Sequence, residues 1–269
     1  MLSFPNAKIN LGLNVIEKRT DGFHNISSCF YPVGWKEILE VIESSNLEFT
    51  SSGLLIPGEE RDNLCLKAFN ILSKDFQIPN VHIHLHKILP IGAGLGGGSA
   101  DAAFTLKALN KMFNLYLDDT LLEEYAGKLG SDCAFFIRNK PILALGKGDQ
   151  FEEISLDLSQ KHIVLVYPNI HISTQEAYAG IRPQKPVVPV KEIIEKYDIS
   201  EWKELLINDF EKSIFPKYPQ IQRIKEKLYT EGALYASMTG SGSSVYGIFN
   251  QVPDIKSIFP EYSTWTPEK

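Results

Sequence analysis

Five glycines fall within seven positions of the run Pro90-Ile91-Gly92-Ala93-Gly94-Leu95-Gly96-Gly97-Gly98-Ser99-Ala100. Glycine loses the most backbone entropy on folding, so this density needs a physical reason. Without Cβ atoms a loop can bring its N–H groups close around an anion, and a following helix aims its positive end at the same place. The chemistry this implies is phosphate binding. A Walker loop needs Lys before its Ser or Thr, whereas Gly98 runs straight into Ser99. Gly92-x-Gly94-x-x-Gly97 does match the dinucleotide fingerprint, with Asp118 about 20 residues on. That fingerprint should follow a strand buried on both faces and open its fold. Here the preceding segment alternates, Pro90 intervenes, and almost ninety residues come first.

Other residues could share in chemistry. Lys8 and Asn10 sit one pleat apart on an alternating segment, where they line either a solvent face or a cleft. Asp132 stands between Gly130-Ser131 and the apolar run Cys133-Ala134-Phe135-Phe136. A carboxylate there must be hydrogen-bonded or paired. It is either a helix cap or a partner for Lys8, and spacing does not choose between them. His82, His84 and His86 share one strand face, but no Cys or carboxylate nearby completes a metal set. No metal-ligating residue is assigned. Lys87 ends that strand just before the glycines, where a nucleotide could meet it. A second small-residue loop, Thr239-Gly240-Ser241-Gly242-Ser243-Ser244, is suited to face the first across a cleft.

The elements that hold these residues are read from periodicity. Ala7, Ile9, Leu11, Leu13 and Val15 alternate with polar or small residues and predict a half-buried strand. Asp21-Gly22 turns the chain, and Phe23-His24 begins a return strand. Further strands are expected at Ile38–Ile42, Leu47–Thr50, Val81–His86, Ile163–Tyr167 and Val245–Phe249. Helices are expected at Asn63–Lys74 with Asp62 as N-cap, after Ser99, at Asp118–Leu129, and as a short turn opened by Thr174. Later helices are expected at Lys191–Tyr197, Glu201–Phe210 and Ile221–Tyr229. Strands and helices mix without a βαβ rhythm, so the class is α+β in two layers. The pattern restarts near residue 155, which predicts two domains, 1–155 and 156–269.

The chain has 269 residues, 43% hydrophobic and 22% charged, enough for a substantial core. A net charge of -6 argues against nucleic acid or an anionic membrane as partner. Cys29, Cys65 and Cys133 are odd in number and widely spaced, which predicts free thiols in a reducing compartment. No leader segment or membrane-length apolar run is read, so a cytoplasmic protein is expected.

Three blocks taken in order carry a resemblance: Pro5-Asn6-Ala7-Lys8-Ile9-Asn10-Leu11, the glycine run 90–99, and Thr239-Gly240-Ser241-Gly242-Ser243. Together they resemble the signature regions of the GHMP kinases, named after galactokinase, homoserine kinase, mevalonate kinase and phosphomevalonate kinase. The Ala-Lys-Ile-Asn opening, Asp21-Gly22-Phe23-His24 and Gly130-Ser131-Asp132 point to one branch. That branch phosphorylates the 2-hydroxyl of 4-diphosphocytidyl-2-C-methyl-D-erythritol, a step toward isoprenoids. The resemblance implies an N-terminal domain like ribosomal protein S5 and a ferredoxin-like C-terminal domain. It implies ATP, with Mg²⁺ as its counter-ion. Lys8 and Asp132 fall on the family's catalytic pair, with Lys8 orienting Asp132. Residues Pro90, Ile91, Gly92, Ala93, Gly94, Leu95, Gly96, Gly97, Gly98, Ser99 and Ala100 fall on the phosphate loop, and Asn63 and Lys87 on nearby nucleotide contacts. Asn10, Phe23, His24, Thr174 and Tyr178 fall on the substrate side. Phe23 stands where the family usually has Tyr, so stacking is kept and a hydroxyl is lost. Another alcohol kinase of the superfamily, an RNA-binding module and a nicotinamide enzyme are the competing readings.

Overall fold

A computed structural model describes residues 1–267. Strands β1 (Leu2–Ser3), β2 (Asn6–Lys18), β3 (His24–Lys36), β4 (Ile38–Glu43) and β5 (Glu48–Gly53) precede α1 (Leu64–Ser73) and β6 (Val81–Lys87). Helices α2 (Gly97–Met112), α3 (Asp119–Gly127) and α4 (Phe135–Arg138) lead to β7 (Ile142–Leu145), β8 (Gln150–Glu152) and β9 (His162–Tyr167). Five helices come next: α5 (Thr174–Ala179), α6 (Val190–Lys196), α7 (Trp202–Leu205), α8 (Glu211–Ile214) and α9 (Pro219–Thr230). Strands β10 (Tyr235–Met238) and β11 (Val245–Phe249), helix α10 (Ile255–Ile258) and strand β12 (Ser263–Trp265) complete the order. The mixture is α+β, as the periodicities predict.

Two compact units result: Met1–Ala7 with Lys36–Ile91 and Gly96–Lys140, and Lys8–Trp35 with Gly92–Leu95 and the chain from Pro141 onward. They interleave, and so differ from a single boundary near residue 155. The physical reason lies in β2. Its Leu13 and Val15 are buried among Val164, Val166, Phe210, Ile214, Ile224, Met238 and Val245, all from later in the chain.

The first unit is built on the sheet β1-β4-β6-β5, in which β6 runs antiparallel to β4 and parallel to β5. Strand β6 alternates because one face is core. Val81, Ile83 and Leu85 are buried, while the histidines between them are half-buried. Helix α2 packs on α1 and on β4. On the outer face Thr50 bonds His82 Nε2 (2.7 Å) and His84 Nδ1 (2.8 Å), and Ser52 bonds His84 Nε2 (3.0 Å) and His86 Nδ1 (2.9 Å). Those imidazoles are knitted to hydroxyls. Asn63, and not Asp62, caps α1, its side chain accepting from Cys65 N at 2.8 Å. Asp118 caps α3 by accepting from Leu121 N, which accounts for the carboxylate that suits the dinucleotide fingerprint.

In the second unit, β2, β3, β7 and β8 form one sheet and β10-β11-β9-β12 another. The β2–β3 turn is closed by Arg19 N to Phe23 O (2.8 Å), with Gly22 at φ +88°. Residues Asn6–Val15 of β2 are all buried, so the strand is covered on both faces and not half-buried as its alternation predicts. The expected helix Glu201–Phe210 breaks after Leu205, because 206–209 leave the helix to pair with β2: Leu13 N donates to Ile207 O and Asp209 N to Leu13 O. Glu211, the first residue of α8, ties that helix to β10 and α9. It is 7% exposed and accepts from Ser237 Oγ, Met238 N and Lys225 Nζ at 2.9, 2.8 and 2.6 Å. Glu211→Ala would orphan a backbone N–H and a cation at once, and a loss of about 3 kcal/mol is expected in denaturant unfolding. Glu211→Gln, which keeps one acceptor oxygen for Ser237 Oγ and Met238 N, should lose less.

Candidate active site

Strand β2 fixes the first pair of residues. Lys8 and Asn10 lie on one face, as the period of two requires, and are 3% and 1% exposed. Their face is therefore inside the protein and not solvated. Lys8 Nζ donates to Asn10 Oδ1 at 2.6 Å and lies 4.6 Å from the Phe30 ring centroid. Asn10 also donates to Ser28 Oγ at 2.8 Å. A desolvated ammonium held this way is a strong electrostatic element.

The glycine run forms a loop of alternating conformation. Gly92, Gly94 and Gly96 have φ of +66°, +79° and +73°, while Ala93 and Leu95 between them are buried at 1% each. The loop's carbonyls turn inward. Ala93 O accepts from Ser244 N (3.2 Å), Gly94 O from Thr239 Oγ1 (3.2 Å) and Leu95 O from Lys8 N (2.9 Å). The second small-residue loop thus packs directly on the first, where the sequence suggests a cleft. A Cβ on Gly94 would stand 2.1 Å from Thr239 O, and one on Gly240 3.2 Å from Gly94 Cα. Gly96 then begins α2 as an N-cap that has no side chain to bond the first-turn amides. Glycines of positive φ at every second position, followed by an open helix start, make an anion-binding concavity.

Asp132 belongs to the other unit. It is half-buried in the turn entering α4, whose N-cap is Ala134. The capping alternative for Asp132 is therefore not the one the chain adopts. Its neighbour Cys133 is tied to the start of α2. Burial pushes the Cys133 thiol up to about 11, against a hydrogen bond from Ser99. The turn bearing Asp132 is thus held beside the first turn of α2. Cys29, Cys65 and Cys133 are free and buried.

Lys87 does not project toward a nucleotide. It is 4% exposed, and its Nζ bonds Glu37 Oε1 at 2.5 Å and Asp101 Oδ2 at 2.7 Å. Burial lowers its pKa, but the two carboxylates outweigh that and leave it raised. Asn63 has one side-chain atom committed to its helix cap.

Of the five residues expected on the substrate side, His24 and Tyr178 meet in an aromatic cluster of the second unit. His24 stacks on Tyr178, centroids 4.6 Å apart and planes 21° apart, and Phe210 meets Tyr178 edge-on at 4.8 Å. Phe23 is 58% exposed with Lys147 Nζ 5.0 Å from its centroid. Burial and then the charge of Lys18 lower the His24 pKa, so its ring is neutral near pH 7. Thr174 begins α5 and is exposed, and Ser173 caps that helix.

Residues 63–140 match the profile of the GHMP kinases N terminal domain, and residues 190–262 that of the GHMP kinases C terminal domain. The chain belongs to the GHMP kinases. Within this kinase family it is 53% identical over 255 residues to the 4-diphosphocytidyl-2-C-methyl-D-erythritol kinase of Cytophaga hutchinsonii, covering 94% of each chain. It is 53% identical over 254 residues to the enzyme of the same name from Bacteroides fragilis, covering 93% of this chain and 92% of that one. A crystal structure of 4-(cytidine 5'-diphospho)-2C-methyl-D-erythritol kinase superposes with a TM-score of 0.85 at 29% identity, covering 99% and 98% of the two chains. The mevalonate kinase of Methanococcus jannaschii gives 0.73 at 14% identity and so shares the fold. Membership of this kinase family sets aside the nicotinamide-enzyme reading.

This GHMP kinase also uses residues that carry no sequence signal of their own. Asn208 is fully buried and donates to Met238 O (2.7 Å) and Gly240 O (3.0 Å), fixing the second small-residue loop. Tyr246 bonds Asn10 O at 2.7 Å. Glu37 and Asp101 sit in an ordinary loop and helix, and both bond Lys87 Nζ.

Proposed function

We propose that this kinase transfers the γ-phosphoryl group of ATP to the 2-hydroxyl of 4-diphosphocytidyl-2-C-methyl-D-erythritol, in the methylerythritol phosphate route to isoprenoids. The observation that carries this reading is the near-full-length likeness to enzymes of that name, joined to the His24–Tyr178 stack. Phosphoryl transfer asks a protein mainly for alignment and charge neutralisation. The amides of residues 92–99 and the start of α2 hold the triphosphate, since the carbonyls of 93–95 are engaged elsewhere. Asp132 accepts or positions the proton of the attacking hydroxyl. Lys8 offsets the charge that develops on the transferring phosphoryl. Asn10 keeps the Lys8 ammonium in place through its 2.6 Å bond.

Mg²⁺, bound as the counter-ion of the nucleotide, would supply charge neutralisation. Among the described residues no cluster of three or more His, Cys, Asp or Glu is arranged to hold an ion. No helix among the described residues is long and apolar enough to cross a membrane, and cytoplasmic operation is part of the proposal.

The cytidine end is read as stacking beside the His24–Tyr178 pair and the exposed Phe23 face, with His24 reading the polar edge of the base as a neutral imidazole. Such remote contacts appear in kcat as well as KM when they align the reacting group. Tyr178→Ala should lower kcat/KM for the full substrate about tenfold. It should change little for 2-C-methylerythritol 4-phosphate, which lacks the cytidylyl group. Equal loss on both substrates would remove Tyr178 from the base pocket. The whole reading is tested by ATP consumption against a panel that includes homoserine and mevalonate, with the phosphorylated position read by NMR. Turnover of one of those alcohols in preference would overturn it.

A further inference from the structure

We infer that Glu37, Lys87 and Asp101 form a buried charge-sharing cluster beneath the phosphate loop, with Asp101 the member whose protonation tunes nucleotide affinity. The inference rests on the reading of residues 90–100 as the ATP-phosphate loop.

The cluster grips both stems of that loop. Lys87 ends β6 and Asp101 lies one turn into α2, so the ammonium ties the strand before the glycines to the helix after them. Glu37 adds a second tie, accepting from Ile88 N at 3.1 Å, and its own N–H donates to Pro5 O at 2.7 Å. The cluster also touches the loop's last turn. A Cβ on Gly97 would lie 3.0 Å from Glu37 Oε1 and 3.2 Å from Lys87 Nζ. Gly97 is therefore glycine because the cluster fills the space beneath it.

The arrangement has an odd charge. Two carboxylates share one ammonium, and Glu37, Lys87 and Asp101 are 0%, 4% and 3% exposed. Asp101 Oδ1 is buried with no hydrogen-bond partner among the described residues. A buried, unmatched anion is expensive, and a proton is the cheapest remedy. The groups that face Asp101 are Lys87, Glu37, the Cys65 thiol of α1 and the Thr105 hydroxyl, which is spent on Asp101 O at 2.7 Å. The Cys65 thiol is raised by burial and by Asp101, so it stays neutral. Burial pushes the Asp101 carboxyl up to about 7, with Lys87 opposing the rise and Glu37 adding to it.

With Asp101 protonated the cluster is neutral. As pH climbs through the neutral range it gains a negative charge, close to the amides meant to hold a polyanion and to the positive end of α2. Nucleotide affinity should therefore fall with rising pH, and binding at neutral pH should draw a proton into the protein.

Calorimetry with a non-hydrolysable Mg-ATP analogue, without the alcohol, tests this on the full chain. Binding should be about tenfold weaker at pH 8.5 than at pH 6. Repetition in buffers of different ionisation enthalpy at pH 7.5 should reveal net proton uptake in the unmodified protein. Asp101→Asn should bind at pH 8.5 as the unmodified protein does at pH 6, with the uptake abolished. An equal pH slope in both proteins would overturn the inference. So would zero uptake in the unmodified protein, a result that needs no variant to fold. No nucleotide binding at any pH would instead strike at the proposed function, so the two failures are distinct.

Discussion

Asp132→Asn should lower kcat by at least about a hundredfold and leave the Kd for nucleotide nearly unchanged. The substitution keeps the size of the side chain but replaces one acceptor oxygen with a donor and removes both the charge and the ability to take a proton. Asp132 is half-buried in a turn and caps no helix, and a thermal melt of the variant would check that the fold is kept. Single-turnover measurements, with nucleotide affinity taken separately by calorimetry, would separate chemistry from binding. A rate within a few-fold of the unmodified enzyme would exclude Asp132 from the reaction.

Gly94→Ala should cost more than any other single methyl in the loop. The residue sits at φ +79°, and the added Cβ would stand 2.1 Å from a backbone oxygen, Thr239 O, and 3.2 Å from Gly242 O. A left-handed conformation costs a non-glycine residue about 1–2 kcal/mol before any clash is counted. Neither backbone can yield easily, because Asn208 holds Gly240 O on one side and Lys8 N holds Leu95 O on the other. The expected outcome is a folded protein with a lower Tm and nucleotide affinity reduced at least about a hundredfold. Gly92→Ala is the matched control. It shares a positive φ of +66°, but its Cβ would meet the ring of exposed His171, a side chain that can swing away. If both variants bind nucleotide equally well, the tight packing of the two small-residue loops has no part in holding the phosphates.

How far the molecule was legible beforehand can be read from these positions. The strands at 38–43, 81–87, 162–167 and 245–249 and the helices at 64–73, 97–112 and 219–230 lie close to where periodicity puts them. The strands at 38–43 and 81–87 and these helices carry an apolar repeat with one buried face, whereas 162–167 and 245–249 are apolar runs buried on both faces. The short strands β7, β10 and β12 escaped because four or fewer residues define no period. Residues 201–210 escaped for another reason. Their local pattern suits a helix, but the edge of β2, distant in sequence, recruits 206–209 and overrides it. The same limit applies to the site. The glycine loop announces itself locally, since a run of glycines has few other uses. Glu37, Asp101 and Asn208 do not, because their roles exist only once remote segments have met. Even Gly97 was legible only as a glycine, and the carboxylate and ammonium that require it are invisible in its neighbourhood of sequence.

The interleaving of the two units sets a timetable for synthesis. All segments of the first unit lie within residues 1–140, so it can close while the remainder of the chain is still on the ribosome. Residues 8–35 are made almost first, yet the core that receives Leu13 and Val15 includes Val245, Phe249 and Phe259. This hairpin must therefore wait, with its apolar residues unsatisfied, until residues as far on as Phe259 have emerged. A nascent chain in that condition is the kind of species that chaperones shield. The slow contacts of refolding are then expected to be those joining β2 to the C-terminal strands and helices, across more than 200 residues of intervening chain.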